Sequence, residues 1–232
     1  MVQQEPKRTR RKTTYKNAEA KATIELLPRN ENQKLYIDAL NGSSQVIVFG
    51  PAGTGKTYVA ATHAANLYLT KQIDKIIITR PHIAVGVGLG FLKGDLEDKT
   101  KPWALPVLDI LDKHLGKGVV DTAIKNGNIE MVPLALIRGR SFDDAFIIVD
   151  EAQNITIHEI KALLTRVGQN SQIVLDGDTK QSDIKEQSGL SKIAHLAKKY
   201  NLTVPVIEFT IDDVVRSDIC KQWLIIFDKE GL

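Results

Sequence analysis

An α/β fold, with a mostly parallel sheet covered by helices on both faces, is predicted by three observations on this 232-residue chain. Short apolar runs alternate with stretches whose apolar residues recur at helical spacing. The runs, among them Ile76-Ile77-Ile78 and Phe146-Ile147-Ile148-Val149, do not alternate with polar residues, so both faces of each strand are expected to be buried. A glycine-rich octapeptide follows the first run directly, where such sheets gather their ligands, at the carboxyl ends of the strands.

The elements follow in chain order. Residues 1–24 lack apolar periodicity and read as a flexible, basic arm. Asn30 is placed to cap a helix that carries Leu35, Tyr36 and Leu40. Residues 46–49 form the first predicted strand and Lys56–Leu69 a helix, with Val59, Ala60, Ala64 and Leu67 recurring. Lys75–Thr79 is a second strand, ended by Arg80-Pro81. Residues 82–101 are rich in glycine and read as irregular, and 105–115 as an amphipathic helix. Further strands are predicted at 129–134, 146–149, 172–175 and 204–209, and helices at 157–167, 190–199 and 217–227. Residues 25–232 thus read as one domain. Trp103 and Trp223 are assigned to packing, since large aromatic side chains mostly bury.

Composition narrows the setting. The single cysteine, Cys220, excludes an internal disulfide and fits a reducing, cytoplasmic compartment. No apolar stretch approaches a membrane span, no secretory pattern opens the chain, and no membrane association is expected. Seven basic residues (Lys7, Arg8, Arg10, Arg11, Lys12, Lys16 and Lys21) face only Glu5 and Glu19 in the first 24 positions. Seven minus two gives that arm +5 within a chain of net +3, a charge that suits nucleic acid or another polyanion and equally suits a solvated tail.

The octapeptide is Gly50-Pro51-Ala52-Gly53-Thr54-Gly55-Lys56-Thr57. It has the G-x-x-x-x-G-K-[ST] spacing of a phosphate-binding loop, set between a buried strand and a helix. The glycines let successive backbone N–H groups turn toward phosphate oxygens, and the helix N-terminus adds its positive end. Lys56 is expected to reach the β- and γ-phosphates and Thr57 to hold Mg²⁺. The ligand class is therefore a nucleoside triphosphate.

Three further segments belong with this loop. The strand 146–149 runs into Asp150-Glu151, where Asp150 suits the Mg²⁺ shell and Glu151 suits orientation or deprotonation of an attacking water. That pair favours hydrolysis over transfer to a small acceptor, as in a nucleotide kinase. Another strand runs into Gly177-Asp178-Thr179-Lys180-Gln181, in which the Gln181 amide can donate and accept beside a γ-phosphate and its water. Gln33, ahead of the first strand, can read an adenine edge with two hydrogen bonds. Arg138, Arg140 and Arg216 are candidates for transition-state charge, for RNA or for structural ion pairs. The five histidines and one cysteine make no metal-ligand pattern.

Together, the loop Gly50–Thr57, Asp150-Glu151-Ala152-Gln153-Asn154 and Gly177-Asp178-Thr179-Lys180-Gln181 resemble the first motor domain of superfamily-one helicases. Thr79-Arg80-Pro81, Gly88-Leu89-Gly90-Phe91-Leu92-Lys93-Gly94-Asp95-Leu96, Pro133-Leu134-Ala135-Leu136-Ile137-Arg138-Gly139-Arg140, Ser188-Gly189-Leu190 and Asp213-Val214-Val215-Arg216 make the chain resemble the PhoH family of ATPases more closely, over residues 28–218. The resemblance implies a RecA-like core, ATP and Mg²⁺, and a homo-oligomeric ring, with a hexamer as the candidate size. No second motor domain is recognised, so a catalytic arginine is expected from this domain or from a neighbouring subunit, with Arg216 the candidate. The leading expectation is an ATP hydrolase acting with nucleic acid, RNA before DNA. The alternative is a nucleotide-switched protein that binds protein partners with little turnover.

Overall fold

The structure, a computed structural model, describes residues 23–81, 96–137, 139–184 and 187–230. Residues 1–22 of the basic arm, Arg138 and the segment containing Gly88 to Asp95 lie outside the described residues. In chain order the elements are α1 (Glu31–Gly42), β1 (Gln45–Phe49), α2 (Lys56–Leu69), β2 (Lys75–Thr79), α3 (Leu96–Leu115), α4 (Lys117–Lys125), β3 (Ile129–Met131), β4 (Ala145–Val149), α5 (Ile157–Leu164), β5 (Gln172–Gly177), α6 (Gly189–Lys199), β6 (Val206–Glu208) and α7 (Asp218–Glu230).

The six strands form one sheet in the order β3-β2-β4-β5-β1-β6, with every pairing parallel. Side chains alternate between faces along each strand. Val46, Val48, Ile76, Ile78, Phe146, Ile148 and Val174 pack with Tyr36, Ala60, Ala64 and Leu111 on one face. Ile47, Ile77, Ile147, Val149, Ile173 and Leu175 pack with Ile160, Leu163, Leu190 and Ala194 on the other. The predicted α/β arrangement, a parallel sheet with helices on both faces, is the observed one. It places β5 between β1, which feeds the phosphate loop, and β4, which ends in Asp150. Among the described residues, no helix is long and apolar enough to cross a membrane.

Three expectations are corrected, and one unpredicted helix is added. Residues 96–101, read as irregular, belong to α3, which contains Pro102 and Pro106. Both prolines are exposed, while Ala104, Val107, Leu108, Leu111 and Leu115 are buried, so burial of the inner face outweighs the two missing N–H groups. Helix α4 was hidden by Gly116 and Gly118; its Val120 and Ala123 are buried. Helix α5 stops at Leu164, and Val167 instead bridges to Phe142. Trp103 packs at the edge of the core as expected, whereas Trp223 is half exposed and stacks on Phe227 along α7, which buries none of its residues.

Candidate functional site

The phosphate loop leaves β1 at Gly50, whose N–H donates to the carbonyl of Gly177 at 3.1 Å. This bond ties the loop to the end of β5. Gly55 closes the loop as the N-cap of α2 with φ +89°, and a Cβ there would lie 2.8 Å from the Gln33 amide nitrogen. Only glycine meets both conditions. The first turn of α2 has no side-chain cap, so its N–H groups lack intrahelical partners, the arrangement that binds phosphate.

Lys56 is 8% exposed, and its Nζ donates to the carbonyls of Gly50 at 2.8 Å and Pro51 at 3.0 Å. The lysine is thus folded over its own loop, beside the space a phosphate would take. Thr54 is buried, and its hydroxyl donates to the Pro51 carbonyl, bracing the loop from within. Pro51 and Ala52 form its outer rim. The Thr57 hydroxyl donates to Oδ2 of Asp176 at 2.8 Å. Asp176 was not singled out in the sequence, where it lies one residue ahead of Gly177-Asp178. Its signal was a carboxylate closing an otherwise apolar strand. The residue is 2% exposed, and its Oδ1 stands 4.0 Å from Nζ of Lys56.

Asp150 follows β4 directly, and its backbone N–H donates to the Thr79 carbonyl, so β2 and β4 place it together. Its side chain is nearly buried. Burial first, and then the charge of Asp176, push its carboxyl up to about 7, while Arg80 pulls it back. Burial also raises Asp176, opposed mainly by Lys56. Asp150, Asp176 and Glu151 set three carboxylates against Lys56 and Arg80, which leaves one negative charge in excess. A cation resolves that excess, and the donor set (Thr57 hydroxyl and two carboxylates) is hard oxygen, which fits Mg²⁺ beside phosphates.

Glu151 has φ +53°, an uncommon conformation for a side chain of its size. Both oxygens have partners. Oε1 lies 3.4 Å from Nη2 of Arg80, and Oε2 accepts from Nε2 of Gln153 at 2.6 Å. Gln153 in turn accepts from the Asp178 N–H at 3.0 Å and donates weakly to the Gln181 carbonyl. The two strand-end motifs are therefore joined through Gln153. Gln181 itself is exposed at the mouth of this cluster.

The other predicted residues converge from α1 and the C-terminal segment. The Gln33 amide donates to the Thr54 carbonyl at 2.8 Å and accepts from the Arg29 N–H at 2.9 Å. Asn30 caps α1 and donates to the Asp213 carbonyl, while Asn32 donates to the Asp213 carboxylate at 2.8 Å. These contacts fasten residues 210–216 beside the loop, and the Val215 N–H donates to the Gly53 carbonyl at 3.0 Å. Arg216 packs on Gly53 of its own chain, where a Cβ would lie 2.7 Å from its Cγ. Arg140 lies apart from this cluster, paired with Glu130 and stacked over Phe142, a structural fate. Arg80, Gln153, Asp176 and Asp213 are the residues that sequence reasoning left without a role. Among the described residues, no group of His, Cys, Asp and Glu forms a self-contained metal site.

The family model described as PhoH-like protein matches residues 25–228. A "PhoH-like protein" of Mycobacterium bovis is 41% identical over 197 residues, covering 84% of this chain and 56% of its own length. "Protein PhoH" of Escherichia coli K12 is 36% identical over 210 residues, covering 89% of this chain and 59% of its own. A "PhoH-like protein" of Bacillus subtilis is 38% identical over 218 residues, covering 93% and 67%. The chain thus spans little more than half the length of the first two relatives. Among solved structures, the Pif1 helicase of Candida albicans is similar at a TM-score of 0.47 and 14% identity, over 89% of this chain and 44% of its own.

Proposed function

The chain belongs to the PhoH-like family, and on that premise we propose that residues 25–232 form one ATPase domain that hydrolyses ATP with Mg²⁺. The observation that carries this reading is the convergence of Lys56 and Thr57 with the Asp150-Glu151 strand end across β5. Gly50, Gly53 and Gly55 shape the loop, and its backbone N–H groups cradle the phosphates. Lys56 exchanges its carbonyl partners for the β- and γ-phosphates. Thr57 and Asp150 hold Mg²⁺, which when bound neutralises phosphate charge. Glu151 orients the attacking water and accepts its proton. Gln181, held near Glu151 through Gln153, contacts the γ-phosphate and that water. Arg216 acts in cis, from the segment packed on Gly53. Gln33 keeps one N–H and one lone pair beyond its present bonds, the pair of contacts that an adenine edge needs.

In this reading the +5 arm contacts nucleic acid, RNA before DNA, and the domain works in a homo-oligomeric ring, with a hexamer as the proposed size. A cytoplasmic setting rests on the lone Cys220. Engagement of both Glu151 oxygens favours one second reading, a nucleotide-switched binding protein with slow basal turnover.

The test is steady-state ATP hydrolysis with Mg²⁺, alone and with single-stranded RNA or DNA, beside a Lys56→Ala control. Stimulation by RNA that Lys56→Ala abolishes is the expected result. Slow turnover indifferent to both polymers favours the second reading. Turnover unchanged in Lys56→Ala overturns both.

A further inference from the structure

Asp176 has no assigned role in the phosphate-loop reading, yet it is the residue that touches both functional side chains of the loop. It lies in β5 opposite Val48 of β1, next to the strand that feeds the loop. Its Oδ2 accepts from the Thr57 hydroxyl at 2.8 Å, and its Oδ1 is 4.0 Å from the Lys56 ammonium. On the other side, Val149 pairs with Leu175, so Asp150 and Asp176 are the next residues along two adjacent strands. The side chain of Asp176 is almost wholly removed from water.

Anchoring Thr57 does not by itself account for a charge here. A neutral acceptor holds a hydroxyl equally well, and burying a carboxylate against a second carboxylate carries a large desolvation and repulsion cost. Lys56 faces Asp176, and Arg80 is divided between Asp150 and Glu151, so two cations serve three anions, and phosphate binding draws Lys56 away. What compensates both carboxylates at once is a divalent cation beside the Thr57 hydroxyl, and Mg²⁺ takes one or two carboxylates together with phosphate oxygens. We propose that Asp176 is a further residue of the Mg²⁺ shell, joining Thr57 and Asp150. Without metal it ties down the Thr57 hydroxyl and Lys56 and repels a bare polyphosphate. With metal it adds the charge that holds the ion. Asp176 thus makes nucleotide binding conditional on Mg²⁺.

This inference rests on the nucleotide reading of the site, and its experiment separates the two. Calorimetric titration with ADP, in excess Mg²⁺ and in EDTA, gives for each protein a ratio of metal-bound to metal-free affinity. Asp176→Asn keeps an acceptor for Thr57 and removes only charge, and its melting temperature checks the fold. Asp176→Thr is a second, smaller neutral variant. The expected result is a fall of tenfold or more in the ratio for both variants, with metal-free ADP bound as tightly as by the parent chain or more tightly. A ratio equal to the parent's overturns the metal role. So does an equal loss of affinity with and without Mg²⁺, which marks Asp176 as a loop brace alone. ADP binding that is absent in the parent, or undiminished in Lys56→Ala, instead defeats the nucleotide reading.

Discussion

The guanidinium of Arg80 reaches both strand-end carboxylates, with Nη2 3.4 Å from Oε1 of Glu151 and Nη1 3.8 Å from Oδ2 of Asp150. The group assigned to water activation is therefore paired, on one side by Arg80 and on the other by Gln153. A carboxylate held in an ion pair is turned toward its partner. Arg80 comes directly after β2 and is one-third exposed at its side chain, so solvent screens the pair and leaves it breakable.

Arg80→Ala is expected to raise basal ATP hydrolysis by roughly three- to tenfold, equivalent to about 1 kcal/mol of pairing released from Glu151. Steady-state turnover without polymer at saturating Mg-ATP measures this. A fall in turnover at unchanged nucleotide affinity would show that Arg80 promotes the reaction.

The raised carboxyl of Asp150 makes stability depend on pH. Its folded value of about 7 stands above its ordinary value of 3.8. The folded chain therefore holds this proton over a range in which the unfolded chain has lost it. The stabilising contribution is full below about pH 4, declines as pH rises, and is gone above about pH 7. In EDTA, Asp150→Asn is expected to melt about 3–6 °C above the parent at pH 8, an effect of roughly 1–2 kcal/mol for a chain of this size, and the gap closes toward pH 4. Thermal melts of both proteins across that range measure it. A gap that is constant with pH contradicts the assignment.

The packing of Arg216 on Gly53 predicts that it serves its own nucleotide. An equimolar mixture of Lys56→Ala and Arg216→Ala chains is then expected to hydrolyse ATP at the average of their separate rates. A shared site between neighbours would restore a substantial part of the parent rate, because one variant retains the loop and the other the arginine.

Much of this architecture is legible in the sequence. Helix α2 and strand β2 begin and end where periodicity places them, because apolar runs and helical spacing report burial directly. The loop and Asp150-Glu151 are legible because their chemistry tolerates few residue types. What sequence reading missed depends on pairing across distance. Asp176 acquires meaning only when β5 lies between β1 and β4. Arg80 looks like the end of a strand until β2 and β4 set it beside Glu151. Asn30 and Asn32 look like a helix start until they hold Asp213, which is 183 and 181 residues away in the chain. Prolines 102 and 106 concealed the start of α3, since the side of the helix they occupy is set by tertiary packing.

The most direct test of the central claim is Glu151→Gln, measured for ATP binding and for single-turnover hydrolysis with Mg²⁺. The substitution preserves shape and one of the two accepting oxygens while removing the base. ATP affinity within about threefold of the parent, with hydrolysis lowered roughly 100-fold or more, is the predicted result. Hydrolysis at the parent rate would contradict the account, because the water would then be activated without Glu151.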